Sequence, residues 1–253
     1  MMDNKCGATH IDLQSKFGFT LVEGATHVGM PPTKAKLAFT LAEVLITLGI
    51  IGVVAAVTLP NLMIIYKARV LRNQFMKSYS LIQQAYKMMQ ADDVSTSPSD
   101  YDASFKTVFQ RYFTGTTDCG YRMSSPCYNP SNIKYKSPVG NKTLSYAWLD
   151  DGQFVLKDGT LFMFENPSHS GGEMRAWIFV DINGINGKPN RLGYDLFVFA
   201  LTDNGIKPMG DEGTQHRNSC VFKESSYGYN GFSCASDAKN DQDYFKKVVK
   251  SIK

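Results

Sequence analysis

Residues 39–65 read FTLAEVLITLGIIGVVAAVTLPNLMII, and only Glu43 among them carries a charge. As a helix rising about 1.5 Å per residue, this stretch is roughly 40 Å long. That exceeds the ~20 apolar residues that cross a bilayer. A helix on the surface of a soluble domain keeps a polar face, and none is present over several turns here. Residues 39–65 are therefore expected to form a membrane-spanning helix. An acid just inside such a segment is costly and marks a function and a partner. Gly49 and Gly52 permit close helix approach. Pro60 removes a backbone donor, which predicts a kink or local melting near Val57–Thr58, with Thr58 available to the freed carbonyl.

Upstream, Lys34, Lys36 and the small residue Ala38 precede Phe39, Thr40, Leu41 and Glu43, and Pro60 lies further along. This arrangement resembles the N-terminal signature of type IV pilins and type II secretion pseudopilins. Where that family usually carries Gly before the cut, Ala38 stands. The resemblance implies a leader, residues 1–38, removed by a prepilin peptidase between Ala38 and Phe39, with methylation of the new Phe39 amine. It implies an inner-membrane subunit with one span and its domain outside the cytoplasm, later built into a periplasmic or extracellular filament. Its partners would be copies of itself or related pilins and an inner-membrane assembly platform with its ATPase. Glu43 and Pro60 would then serve assembly. A non-polymerising, membrane-anchored surface or binding protein, or a minor tip pilin, is the alternative. A near copy of the motif, GFTLVE at 18–23, is followed by GATHVGMPPTKAK, whose charges and prolines forbid a membrane helix. Met30, followed by PPTKAKLA, is the expected start of a short basic leader.

Beyond the apolar stretch the helix is expected to continue through 66–93. Leu71, Phe75, Ser78/Tyr79, Ile82, Tyr86 and Met89 recur at three and four residues and make one apolar stripe. Lys67, Arg69, Arg72, Lys77, Gln83 and Lys87 form the other face. Residues 94–253 are expected to be a globular α+β domain, with an antiparallel sheet laid on that stripe as in pilins. A second helix is predicted over 101–113, capped by Ser99 or Asp100. Strands are predicted at Leu144–Leu149, Gln153–Leu156, Thr160–Glu165, Arg175–Ile182 and Leu196–Leu201. Asp151-Gly152 and Asp158-Gly159 read as hairpin turns. A last helix is predicted over 241–252, with Phe245, Val248, Val249 and Ile252 on one face.

The chain is 43% hydrophobic and 20% charged, which suits one anchored globular domain. Its net charge of +4 comes without a dense Lys/Arg run, so no nucleic-acid partner is inferred. Of five cysteines, Cys6 lies in the leader, and removing it leaves Cys119, Cys127, Cys220 and Cys234. Four cysteines allow three connectivities. The local pairs Cys119–Cys127 and Cys220–Cys234 are expected, because each closes a loop rich in Gly, Ser and Asn that apolar burial alone would not order. Zinc is disfavoured because no Cys-x-x-Cys occurs. Disulfides imply an oxidising compartment.

Two further groups bear on chemistry. Residues 180–195, VDINGINGKPNRLGYD, carry Asp181, Asn183, Asn186, Asn190 and Asp195, hard oxygen ligands of the kind calcium takes. The stretch resembles the Asp-x-Asn-Gly-x-x-Gly-Pro-Asn run of many pseudopilin-like proteins, with Lys188 before Pro189. The competing reading makes these residues turn formers bonded to their own backbone. Calcium is the single cofactor considered. Catalysis finds little support: His169 and His216 lie in polar loops without a nucleophile motif, and adjacent Asp150 and Asp151 make a poor acid/base pair. The chain is expected not to be an enzyme.

Overall fold

The computed structural model describes residues 39–101, 104–121, 127–170 and 173–252. Residues 1–38, and with them the leader, the Ala38 side of the cleavage site, the upstream motif copy and Met30, lie outside the described residues. The chain divides into two compact units, 1–49 and 50–253.

One helix, α1 (Leu41–Ala91), begins in the first unit and runs through the second. It is long and apolar enough to cross a membrane. From Leu41 to Lys67 no side chain is buried, so this apolar stretch finds little cover among the described residues. The helix is not melted at Pro60 as expected: its assignment is continuous there. Thr58 Oγ1 donates to the Val54 carbonyl at 2.9 Å rather than to a carbonyl freed by the proline. From Ala68 onward the stripe is one-sided. Ala68, Leu71, Phe75, Ser78, Ile82, Ala85 and Met89 are buried, on the three-and-four spacing that puts them on one face.

That face packs on a six-stranded sheet. Its strands are β1 (Thr116–Gly120), β2 (Gln153–Leu156), β3 (Leu161–Ser170), β4 (Glu173–Asp181), β5 (Leu196–Thr202) and β6 (Gly205–Pro208). They lie in sequence order and each pairs antiparallel with the next. Side chains alternate across the pleat. Phe162, Phe164, Ile178, Val180, Phe197, Phe199 and Leu201 therefore face the helices, α1 together with α2 (Phe105–Gln110), α3 (Cys234–Asn240) and α4 (Tyr244–Ser251). Leu161, Met163, Trp177, Phe179, Leu196 and Val198 face the other way, under loop residues that include Tyr128, Tyr135, Leu149, Leu192 and Phe232. Both faces are dry, which is why β4 and β5 read as continuous apolar runs rather than as alternation.

Several expected boundaries shift. The second helix starts only at Phe105, after a 3-10 turn at Pro98–Asp100, and Ser104 rather than Ser99 or Asp100 precedes it. Leu144–Leu149 is not a strand: Tyr146–Trp148 form a 3-10 turn that drops Leu149 into the core. Asp151-Gly152 consequently joins no hairpin, and its backbone pairs with Phe164 instead. Asp158-Gly159 does turn β2 into β3, with Gly159 at φ +91°. The last helix starts at Tyr244, later than expected, and α3 lies ahead of it. β1 and β6, the two edges, are short and polar or closed by Pro208, features that keep an edge from recruiting further strands.

One lysine departs from the usual rule. Lys106 on α2 is fully buried, and its ammonium pairs with Asp118 of β1, whose side chain is over half exposed. The ammonium stays covered beneath the Asp118 carboxylate, and the pair fastens α2 to the sheet edge.

Candidate functional site

The first unit carries the acid. Thr40 precedes the first turn of α1, and its backbone N–H and Oγ1 both donate to Glu43 Oε2, at 2.8 and 2.9 Å. In return Glu43 N–H donates to Thr40 Oγ1 at 3.2 Å. This is the reciprocal Thr-x-x-Glu capping arrangement, in which the acid satisfies donors that the helix itself leaves unpaired. Beyond its place in the motif, Thr40 stands three residues before Glu43, the spacing of such a cap. Phe39 is exposed beside it. Gly49 and Gly52 have no other atom within 4 Å of where a Cβ would stand, so their faces are open.

The second unit carries the Asp/Asn loop. Asp181 ends β4 and Asp195 directly precedes β5, so the loop between them leaves and re-enters the sheet at adjacent strands, with Ile182 N–H donating to the Asp195 carbonyl at 2.9 Å. Asp181 Oδ2 accepts from the Tyr135 hydroxyl at 2.6 Å, and Oδ1 from Asn183 N–H at 3.2 Å. Asp195 Oδ2 accepts from Asn190 N–H at 2.8 Å and from the Asn183 amide at 3.5 Å, and Oδ1 from Arg191 N–H at 2.6 Å. Four of the five anticipated residues are thus brought together, while Asn186 is exposed. Gly184 has no substitute in this turn: its φ is +74°, and a Cβ would stand 2.4 Å from the Gly159 carbonyl oxygen.

Burial dominates the electrostatics of this hub. It pushes the Asp181 carboxyl up to about 7, with the nearby Asp195 charge adding to the effect. Burial likewise pushes Asp195 up to about 6, against the pull of the Arg191 and Asn190 N–H groups. Tyr135, wholly buried and facing both acids, is driven well above the usual tyrosine range. All four carboxylate oxygens already accept a hydrogen bond, and the buried Oδ1 atoms of Asn183 and Asn190 accept none. These are hard oxygens, but calcium takes six to eight of them, and a cation here would have to displace N–H and O–H donors. Among the described residues no group of three or more His, Cys, Asp or Glu side chains is placed to hold a metal. The arrangement does what turn-forming Asp and Asn do, closing a long loop on itself.

Cys119 is bonded to Cys127 and Cys220 to Cys234, the local pairs. His216 is half-buried rather than solvated: it stacks on Tyr229 at 3.9 Å between centroids, and its Nδ1 lies 2.8 Å from the Tyr227 hydroxyl. The side chain of His169 lies outside what is described.

Fold and sites together define a membrane-anchorable long helix carrying an α+β domain with an open antiparallel sheet. Compared with protein-family profiles, with curated proteins and with solved structures, the chain matches none.

Proposed function

We propose that the chain is a structural subunit, a pilin or pseudopilin, of a type II secretion or type IV pilus-like filament. The observation that carries this reading is the start of α1: an apolar stretch uncovered on every side, with a single acid at its first turn. Lipid covers such a helix in the unassembled subunit, and neighbouring copies of the same helix cover it in a filament core. A prepilin peptidase cuts between Ala38 and Phe39, the new amine is methylated, and an assembly platform with its ATPase lifts the subunit from the inner membrane.

Glu43 then has two partners in succession. Before assembly its carboxylate is held by Thr40. In the filament the Phe39 ammonium of an adjacent subunit neutralises it, and a wrong axial stagger leaves both charges buried and unpaired, which sets the register. The role is structural rather than catalytic. Glu43→Ala and Glu43→Val are expected to insert and be processed like wild type, while sheared filament yield drops at least tenfold. Wild-type yield from either variant refutes the assembly role.

A minor subunit at a filament tip is the second reading. A cleft between two loops of the domain, with exposed tyrosines at its rim, favours it. Copy number in sheared filaments separates the readings: thousands for a major subunit, a few for a tip.

A further inference from the structure

We infer that this cleft is a saccharide-binding site that takes a single pyranose ring, through an aromatic wall and neutral polar side chains. It lies between the loop 137–148 and the cross-linked loop 220–234, and its volume is about 250 Å³. Asn141, Lys142, Trp148, Ser225, Tyr227 and Asn230 are among the residues that line it.

The walls are fixed. Trp148 stacks on Tyr229 at 5.2 Å and meets Phe232 edge-on at 5.3 Å. The facing loop is closed by Cys220–Cys234. Asn230 clamps it from inside, accepting from Val221 N–H at 3.0 Å and donating to the Val221 carbonyl at 2.9 Å. Lys142 Nζ spans the two loops, donating to the Ser226 carbonyl at 3.2 Å. A site preorganised in this way loses little entropy when a ligand enters.

The lining selects the ligand. Among the described residues after Ala91, the large apolar side chains that stand exposed are Tyr121, Tyr146 and Tyr227. Tyr227 lines the cleft, and Tyr146 follows Ser145, which also lines it. Exposed aromatic rings held on a rigid frame offer an apolar face with a polar tip. A pyranose has the complementary form, an apolar C–H face ringed by hydroxyls. Apart from Leu144 and Lys142, the remaining lining is amide, hydroxyl and backbone, which bond hydroxyls without demanding charge. No carboxylate lines the cleft and one lysine does, so a cationic ligand is disfavoured and both neutral and acidic sugars are admitted. The volume falls below that of drug-sized pockets and suits one ring.

This inference does not depend on the filament reading, and failure of either leaves the other standing. Its test uses the full-length chain in phosphocholine micelles, whose head group carries no sugar. Methyl glucoside, methyl N-acetylglucosaminide and methyl glucuronide are titrated while tryptophan fluorescence and saturation-transfer NMR are followed, with sorbitol as a hydroxyl-matched control lacking a ring face. At least one pyranoside is expected to bind saturably, with a dissociation constant on the order of 1 mM for so small a ligand. Asn141→Ala, at an exposed position, is expected to weaken binding at least fivefold with the melting midpoint unchanged, and Tyr227→Ala at least tenfold. If Tyr227→Ala lowers the midpoint, Asn141→Ala alone decides. A preference for the glucuronide that Lys142→Gln abolishes places Lys142 against the sugar carboxylate and supports the site. No saturable binding by any pyranoside, an equal response to sorbitol, or wild-type affinity in Asn141→Ala overturns it.

Discussion

On the helix side of the sheet, Phe75 of α1 meets Phe197 at 4.7 Å, Phe245 at 5.9 Å and Phe199 at 6.2 Å between ring centroids. On the loop side, Tyr135 meets Asp181, Trp148 meets Trp177 and Tyr229, and the covering segments contain no helix longer than a 3-10 turn. The two faces bury side chains of similar size by different means. A helix arrives with its backbone satisfied and needs only an apolar stripe. A loop must have its backbone groups and its path fixed by something else, here a disulfide, a ring of Asx contacts and an aromatic stack. The helix side therefore rests on apolar packing, into which Cys234 at the start of α3 brings the disulfide that closes the 220–234 loop, and the loop side rests on hydrogen bonds among ionisable groups and on stacked rings.

The strongest challenge to this contrast is Phe75→Ala. It leaves a cavity among three aromatic rings and is expected to cost about 3–5 kcal/mol, measured by denaturant unfolding of the detergent-solubilised chain. Next comes the paired substitution Cys220→Ala with Cys234→Ala, which frees a loop of 14 residues and is expected to cost about 3 kcal/mol. Reducing agent, which also opens Cys119–Cys127, should cost the wild type more than that double substitution does.

A smaller effect is expected from pH. Folding raises the Asp181 and Asp195 carboxyls from the ordinary value of 3.8 to about 7 and about 6. Between those values the folded chain binds more protons than the unfolded one, so stability is greatest on the acid side and falls as pH rises through about 4 to 7. Asp181→Asn should flatten part of the slope. A melting midpoint that rises over this window would contradict the burial account. The smallest effect is expected from calcium: with the carboxylate oxygens already engaged, millimolar calcium and a chelator should give midpoints within about 1 °C. A clear rise with calcium would show that the ion displaces those donors and recruits the free amide oxygens of Asn183 and Asn190.

The same contrast separates what the sequence reveals from what it hides. Leu71, Phe75, Ile82 and Met89 announce the helix side by spacing alone, and β4 and β5 are visible because burial on both faces makes them unbroken apolar runs. The loop side has no period. Leu144–Leu149 looks like a strand because it ends in large apolar residues, yet a 3-10 turn buries Leu149 as well. β1 is too polar to announce itself, and its pairing is decided by β2. Lys106 gives no local signal of burial, because the Asp118 that pairs with its ammonium lies 12 positions away. Of the candidate site residues, Glu43 stands out by its isolation and Thr40 by its spacing to Glu43. Tyr135 has no local signal at all, because its partner Asp181 lies 46 positions away in the chain.

The order of the sheet has one more consequence. Each strand pairs with the one that precedes it in the chain, and both disulfides close over short distances, 8 and 14 residues. A chain threaded across a membrane from its N-terminus delivers segments one at a time, and a meander lets each strand find its partner already waiting. No edge has to stay open for a segment still to come, apart from the face that α3 and α4 cover last. Low sequence separation of this kind favours fast folding and shortens the exposure of unpaired strands. The topology suits a domain whose segments become available one after another in chain order.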